Sequence, residues 1–433
     1  MNWKEIYQKK KVRIDYVLNL VHSNTTIVTG MAASEPQIFL SKLHEVPPSL
    51  QDINVFTCLN MKDYPFFSTK ESEGRFINNS WFYNGSNRKV VLQGLKTMTY
   101  VPNNLHQAAT NLIQSRKIDM YVGIASPMDK NGYLTLSVGI TYEKDILEKT
   151  DLVVLEVNNN APRTHGDTQV HISEVDYIVE TDYPMPEISI VEPTEIERNI
   201  GERIADLIED GSTIQIGIGG IPNAVAQFLK NKKDLGVHTE MMTETMVDLF
   251  EAGAINNKKK TLWPGKFVCT FVLGTQRLYD FCNDNPGILM LRGNYVNDPY
   301  LISQNDQMVS INTALMLDIT GNVCSEAIGA RHFSGTGGQL DTHRGAVKSK
   351  NGKGIIALRS TAKGGTISTI VPMLPQGAPV TIPRQELDYV VTEHGVAHLR
   401  GKTVRERTLE LIGVASPDFR NDLKNEAQKI GII

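Results

Sequence analysis

Residues Ser212 to Asn231 read STIQIGIGGIPNAVAQFLKN: a β-branched strand, a turn with glycines at 217, 219 and 220, and a helix that carries Pro222 near its first turn. A proline there costs nothing, because the first N–H groups of a helix have no partner inside it. Upstream, Thr194 and Glu197 form a capping-box pattern ahead of Ile196, Ile200, Ile204, Leu207 and Ile208, and Gly211 closes that helix. The amino-terminal half repeats the order. Ile14, Val17, Leu18 and Val21 fall at the spacing of one buried helix face, Asn24 breaks the run, TTIVT makes a strand, Gly30 turns, and SEPQIFLSKL reads as a new helix. Aligning Gly30 on Gly217 marks a duplicated helix–strand–turn–helix unit. The runs DLVVLEV, KGIIALR and LDYVVTEHG have the apolar, β-rich character of buried parallel strands. The expected architecture is therefore α/β, with two related open domains at residues 1–187 and 188–433 and the proline-rich stretch Tyr183 to Pro193 between them.

A length of 433 residues suits two domains, and 41% hydrophobic residues, 21% charged residues and a net charge of −4 describe an ordinary globular chain. Nothing favours a nucleic-acid partner, and the basic triplets Lys9 to Lys11 and Lys258 to Lys260 read as solvated faces. Cys58, Cys269, Cys282 and Cys324 are scattered, without a metal-ligand spacing or a disulfide framework, so no metal site is expected and a reduced cytoplasm is the simplest home. The opening residues have apolar positions interrupted by charge, which argues against a signal peptide or a membrane span.

Three constellations carry candidate chemistry. In GIGGIPNA the converging backbone N–H groups and the helix start behind them suit a phosphate, an oxyanion or a thioester oxygen, although a ligand-free βα turn fits the same residues. FSGTGGQ, Phe333 to Gln339, is a second glycine loop that reads either as an oxyanion hole or as a plain surface loop. In DLGVHTEMMTETMVDLFEAGA, Asp234 to Ala254, Glu240 stands where a short strand would end, with His238 on the same face; a carboxylate there can attack an activated acyl group. Glu244, Asp248 and Glu251 read as the polar face of the following helix. Lys363 in STAKGGT could pair a phosphate, and EHGVAHLRG, Glu393 to Gly401, reads as a strand-to-helix turn with structural histidines.

These segments, together with EVNNNAPRTHGD, ISEVDYIVE, FVLGTQRLYDF, YVNDP, MVSIN, VVTEHGVAHLRG and ASPDF, make the chain resemble the acetyl-CoA hydrolase/transferase family (family I CoA-transferases), especially its 4-hydroxybutyrate and butyrate:acetate CoA-transferase branch. The resemblance spans nearly the whole chain. It implies two open α/β domains of the CoA-transferase (NagB/RpiA-like) type with the active site in the cleft between them, and Glu240 as catalytic nucleophile. It maps CoA contacts onto Gly217, Ile218, Gly219, Gly220, Ile221, Ile311, Gly335, Gly337, Gly338 and Lys363. The implied activity is exchange of CoA between a short-chain acyl-CoA and acetate or another carboxylate, with CoA as substrate and no permanently bound cofactor, in a cytoplasmic homodimer. An acyl-CoA hydrolase using the same glutamate is the first rival reading. A CoA-binding protein without catalysis is the second, and the presence of Glu240 argues against it.

Overall fold

The computed structural model describes residues 2–433. Compactness divides the chain into two units, residues 1–188 with 269–295, and residues 189–268 with 296–433. The expected boundary at 187/188 differs in one respect. The segment Cys269–Tyr295 belongs to the first unit, where Ile140 N–H donates to Thr270, Val272 N–H to Val138 and Gly293 N–H to Thr141. Arg292 in the same segment pairs with Asp145 at 2.8 Å, with Glu148 at 2.7 Å and with Asp167. These partners lie more than a hundred residues upstream, so no local sequence signal announces them.

The first unit holds an all-parallel sheet of seven strands: Thr26–Thr29 (β1), Ile53–Thr57 (β2), Phe76–Ser80 (β3), Met98–Tyr100 (β4), Met120–Ala125 (β5), Leu152–Asn158 (β6) and Tyr177–Thr181 (β7). Their order is β4-β3-β2-β1-β5-β6-β7. Every residue of β1 and β5 is buried, as continuous apolar strands covered on both faces must be. Ile27, Phe39, Leu40 and Val122 belong to one packed core with Ile14, Val17 and Leu18, the helix face read from the sequence.

The second unit repeats the plan with Thr213–Ile216 (β8), Gly236–Val237 (β9), Met308–Thr313 (β10), Lys353–Ala357 (β11), Tyr389–Thr392 (β12) and Gly395–His398 (β13), in the order β9-β8-β10-β11-β12-β13. All pairs are parallel except β12 with β13. The segment EHGVAHLRG is thus a tight antiparallel hairpin rather than a strand-to-helix turn, because Thr392 pairs with Gly395 across Glu393 and His394. In each unit the first strand has its successor on one side and the later strands on the other. β1 and β8 are therefore the strands at which the order reverses, and ligands of open α/β sheets gather at the carboxyl ends of such strands. Gly30 follows one and Gly217 the other.

The helix Glu195–Asp206 starts with the capping box expected: the Thr194 side chain accepts from Glu197 N–H, and the Glu197 carboxylate accepts from Thr194 N–H at 2.8 Å. After β8 the chain turns through Gly219 at φ 117°, a conformation open only to glycine, and enters the helix Gly220–Leu229.

Candidate active site

β9 continues as far as a single bridge from His238 to Val268, and the chain bends at Glu240 before the helix Glu244–Glu251 begins. Glu244 is buried rather than part of a solvated face. His238 Nε2 lies 2.8 Å from the carbonyl oxygen of Val296. A carbonyl can only accept, so Nε2 carries the proton. Burial, reinforced by the Lys260 ammonium, pushes this imidazole down to about 3 and keeps it neutral at physiological pH.

Residue 297 comes next after that carbonyl, and it is a fully buried asparagine whose Nδ2 donates to Glu240 Oε2 at 2.9 Å. The backbone of Gly338 lies against the same carboxylate, and its N–H favours the charged form. Gly338 caps the helix Gln339–Lys348, so the positive end of that helix dipole faces Glu240. A Cβ at residue 338 would overlap both the Glu240 carboxylate and the Asn297 amide; only glycine allows the approach. Two ties therefore join the strand that carries Glu240 to the segment that carries Asn297, one through His238 and one through the carboxylate itself.

Burial outweighs these donors. Helped by the nearby Asp341 carboxylate, it pushes Glu240 from its ordinary 4.5 up to about 7, while part of the residue's surface stays open. A carboxylate so held is only partly ionised at neutral pH, and it is poorly solvated when it is ionised. Both set Glu240 apart from a surface acid and make it a candidate functional group.

The first glycine turn lines a cavity of about 280 Å³ at the carboxyl ends of three neighbouring strands. Its walls include Ile218 to Pro222 after β8, Thr313 at the end of β10 with Ala314 after it, and Leu358 and Arg359 after β11. Nothing lies within 4 Å of where a Cβ would stand at Gly217 or Gly219, so the space above the turn is open. Arg359 Nη2 donates to Glu197 at 2.6 Å, and Glu197 flanks Gly220. Ile218 is 45% exposed.

Among the residues mapped to CoA, the structure brings Gly338 to Glu240 and sets Gly335 and Gly337 earlier in the same loop, with Gly337 at φ 51°. Ile311 sits in the middle of β10 between Ile216 and Ile355 with its side chain fully buried; Thr313, two residues on, is the one that reaches the cavity. Lys363 is exposed at the tip of a hairpin between Thr361–Ala362 and Ile367–Ser368. Asn297 escaped the sequence reading, although its segment YVNDP stood out, because nothing local shows that an amide 57 residues from Glu240 meets it.

Comparison with known proteins shows the family of the chain. The model of the acetyl-CoA hydrolase/transferase N-terminal domain matches residues 1–192, and that of the C-terminal domain matches residues 274–427. The chain is 44% identical to the 4-hydroxybutyrate coenzyme A transferase of Clostridium kluyveri over 99% of this chain and 100% of that one. It is 35% identical to the butyryl-CoA:acetate CoA-transferase of Anaerostipes caccae over 100% and 99%. The crystal structure of RipA from Yersinia pestis superposes with a TM-score of 0.95 at 38% identity, covering all of both chains. The chain belongs to the acetyl-CoA hydrolase/transferase family, on its CoA-transferase side.

Proposed function

We propose that the protein exchanges CoA between a short-chain acyl-CoA, of the butyryl or 4-hydroxybutyryl type, and acetate or another carboxylate, by way of a glutamyl-CoA thioester on Glu240. The observation that carries this reading is the Glu240 carboxylate, half-buried, raised to about 7, and gripped by Asn297 and the Gly338 N–H.

The ionised carboxylate attacks the thioester carbonyl. The C–S bond breaks, and CoA leaves as thiolate from a mixed anhydride with Glu240. The thiolate then attacks the glutamyl carbonyl, the acid departs as carboxylate, and a glutamyl-CoA thioester remains. A second carboxylate attacks that thioester, and the same two steps run in reverse. One acyl-CoA is thereby exchanged for another, with the thioester energy kept and Glu240 restored. In each tetrahedral intermediate at the glutamyl carbon, negative charge develops on an oxygen that started as a Glu240 carboxylate oxygen. Asn297 already donates to that carboxylate and the Gly338 N–H stands beside it, so they need little rearrangement to serve as an oxyanion hole, a contribution of about 3 kcal/mol per donor.

In this reading CoA lies along Gly217 to Ile221 and the strand ends beside it. Gly335 and Gly337 shape the second loop, Ile311 supports from within the sheet, and Lys363 reaches a phosphate from its exposed hairpin. CoA is a substrate and not a resident group. The enzyme works as a cytoplasmic homodimer in this reading; among the described residues no helix is long and apolar enough to cross a membrane.

The test is incubation with butyryl-CoA alone, followed by intact-mass measurement and peptide mapping. CoA should be found on the peptide containing Glu240, and initial rates with acetate should show ping-pong patterns. Intersecting patterns without an adduct would defeat the covalent scheme. Release of free acid and CoA at the same rate with and without acetate would mark a hydrolase.

A further inference from the structure

Glu326 is a buried carboxylate, 6% exposed, for which the catalytic steps above have no use. Its bonds nevertheless converge on the loop that ends at Gly338. Its carbonyl oxygen accepts from Phe333 N–H at 2.7 Å and from Ser334 N–H at 3.1 Å, which continue the hairpin in which Ala327 pairs with His332. Its Oε2 accepts from the Thr336 hydroxyl at 2.9 Å, and its Oε1 accepts from the Thr381 hydroxyl at 3.0 Å. Thr381 is anchored in turn: its N–H donates to Val323 at 2.8 Å, and its hydroxyl accepts from Ser325 N–H at 3.0 Å. Ser334 completes the brace by donating from its hydroxyl to the Ser325 carbonyl at 2.9 Å.

We propose that Glu326 is a positioning residue for the transfer reaction: through Thr336 it fixes the loop so that the Gly338 N–H stays aimed at Glu240. The inference rests on the reading of Glu240 as nucleophile. Thr336 lies two residues before Gly338, and Gly337 between them takes φ 51°. Burying a carboxylate is costly unless its oxygens are bonded, and here both oxygens are engaged, one on the loop and one on the anchored chain behind it. Glu326 thus links the glycine-rich loop to anchored backbone. A donor held against a developing oxyanion works through prior alignment, and displacement by about 1 Å is enough to lose a large part of its effect.

The test compares Thr336→Val, Thr336→Ser and Glu326→Gln in the full-length protein, measuring kcat, KM for butyryl-CoA, and the single-turnover rate of glutamyl-CoA formation. Thr336→Val keeps the side-chain volume but cannot donate to Glu326. It should lower kcat and the rate of adduct formation about tenfold or more, with KM within about twofold of wild type, since one lost oxyanion donor costs roughly 100- to 1000-fold and a misaligned one less. Thr336→Ser restores the hydroxyl and should return the rate to within about threefold of wild type; Glu326→Gln should fall between the two. Wild-type kcat in Thr336→Val, equal losses in the valine and serine variants, or an effect confined to KM would each overturn the proposal. If Glu326→Gln does not fold, the valine and serine pair decides alone. Absence of any glutamyl-CoA adduct in the wild-type protein would instead remove the reading of Glu240, a result distinct from normal adduct formation in Thr336→Val.

Discussion

The turn after β1 and the turn after β8 occupy the same topological position in their units, yet one is filled and the other is open. Residues Gly30 to Gln37 are buried throughout. The chain there folds into a short 3₁₀ turn at Ala32–Ser34, and the protein's own carboxylates take the places an anionic ligand would use. Glu143 accepts from Met31 N–H at 3.0 Å, and Glu156 accepts from Phe39 N–H at 2.6 Å in the first turn of the helix Gln37–Lys42. Burial pushes Glu143 up and Glu156 up to about 7, so these acids are held by the fold at an electrostatic cost. After β8, Gly217 and Gly219 face empty space, and the cavity begins there. Duplicated topology supplies two equivalent sites, and side chains brought from elsewhere in each unit decide which one remains for a ligand.

The largest effect that sharpens this contrast is expected at Glu240. On the proposed role of Glu240, Glu240→Ala should lower turnover by about three powers of ten or more and leave the thermal midpoint near wild type, because a nucleophile contributes in the reaction and not in the core. A variant retaining more than about a tenth of the wild-type rate would remove the open unit's claim to the chemistry. Next, Asn297→Ala should cost about a hundredfold in kcat, the usual loss for one oxyanion donor. Measured adduct formation should slow in parallel; unchanged adduct formation would mean that Asn297 only packs.

The two turns can then be exchanged as targets. Gly217→Val projects into open space at an ordinary φ and should raise KM for acyl-CoA about tenfold with little change in melting temperature. At Gly30 a Cβ would run into the Ser34 backbone, so Gly30→Ala should cost about 1–3 kcal/mol of stability. If Gly217→Val binds acyl-CoA normally, or Gly30→Ala leaves stability untouched, the distinction between open and filled turns fails.

The smallest effect is one of pH. Glu240 is raised from 4.5 to about 7 on folding, so the folded state holds its proton more tightly than the unfolded state. The associated stability is fully present below about pH 4.5 and is lost as pH rises through 7. Glu240→Gln, which cannot ionise, should therefore be about 2 kcal/mol more stable than wild type at pH 8 and no more stable at pH 4. Wild-type turnover should move the other way, rising as pH passes through about 7. Denaturant midpoints at the two pH values check the first statement, and a rate profile checks the second.

Much of this was legible in local sequence. The capping box at Thr194 and Glu197, the strand before Gly217 and the helix after it, and the matching order around Gly30 are all short-range patterns, and the structure shows each of them. Local patterns survive because periodicity and capping depend on residues three or four apart. Features that needed partners from a distance were not legible. EHGVAHLRG closes into a hairpin because β12 offers an edge, and Cys269–Tyr295 joins the first unit because carboxylates near residues 145 to 167 receive Arg292.

The amino-acid sequence by itself determined the two α/β units, the glycine turns at the ends of their switch strands, and the acidic residue at the end of a short strand. Tertiary structure alone decided that Glu240 would meet Asn297 and the Gly338 N–H, that Ile311 would be sealed inside the sheet while Lys363 stood exposed, and that one glycine turn would stay open while its twin was filled. The reason is physical. Backbone conformation is set by nearest neighbours, whereas a carboxylate's protonation and reach are set by whatever the fold packs around it, and those groups come from segments far apart in the chain.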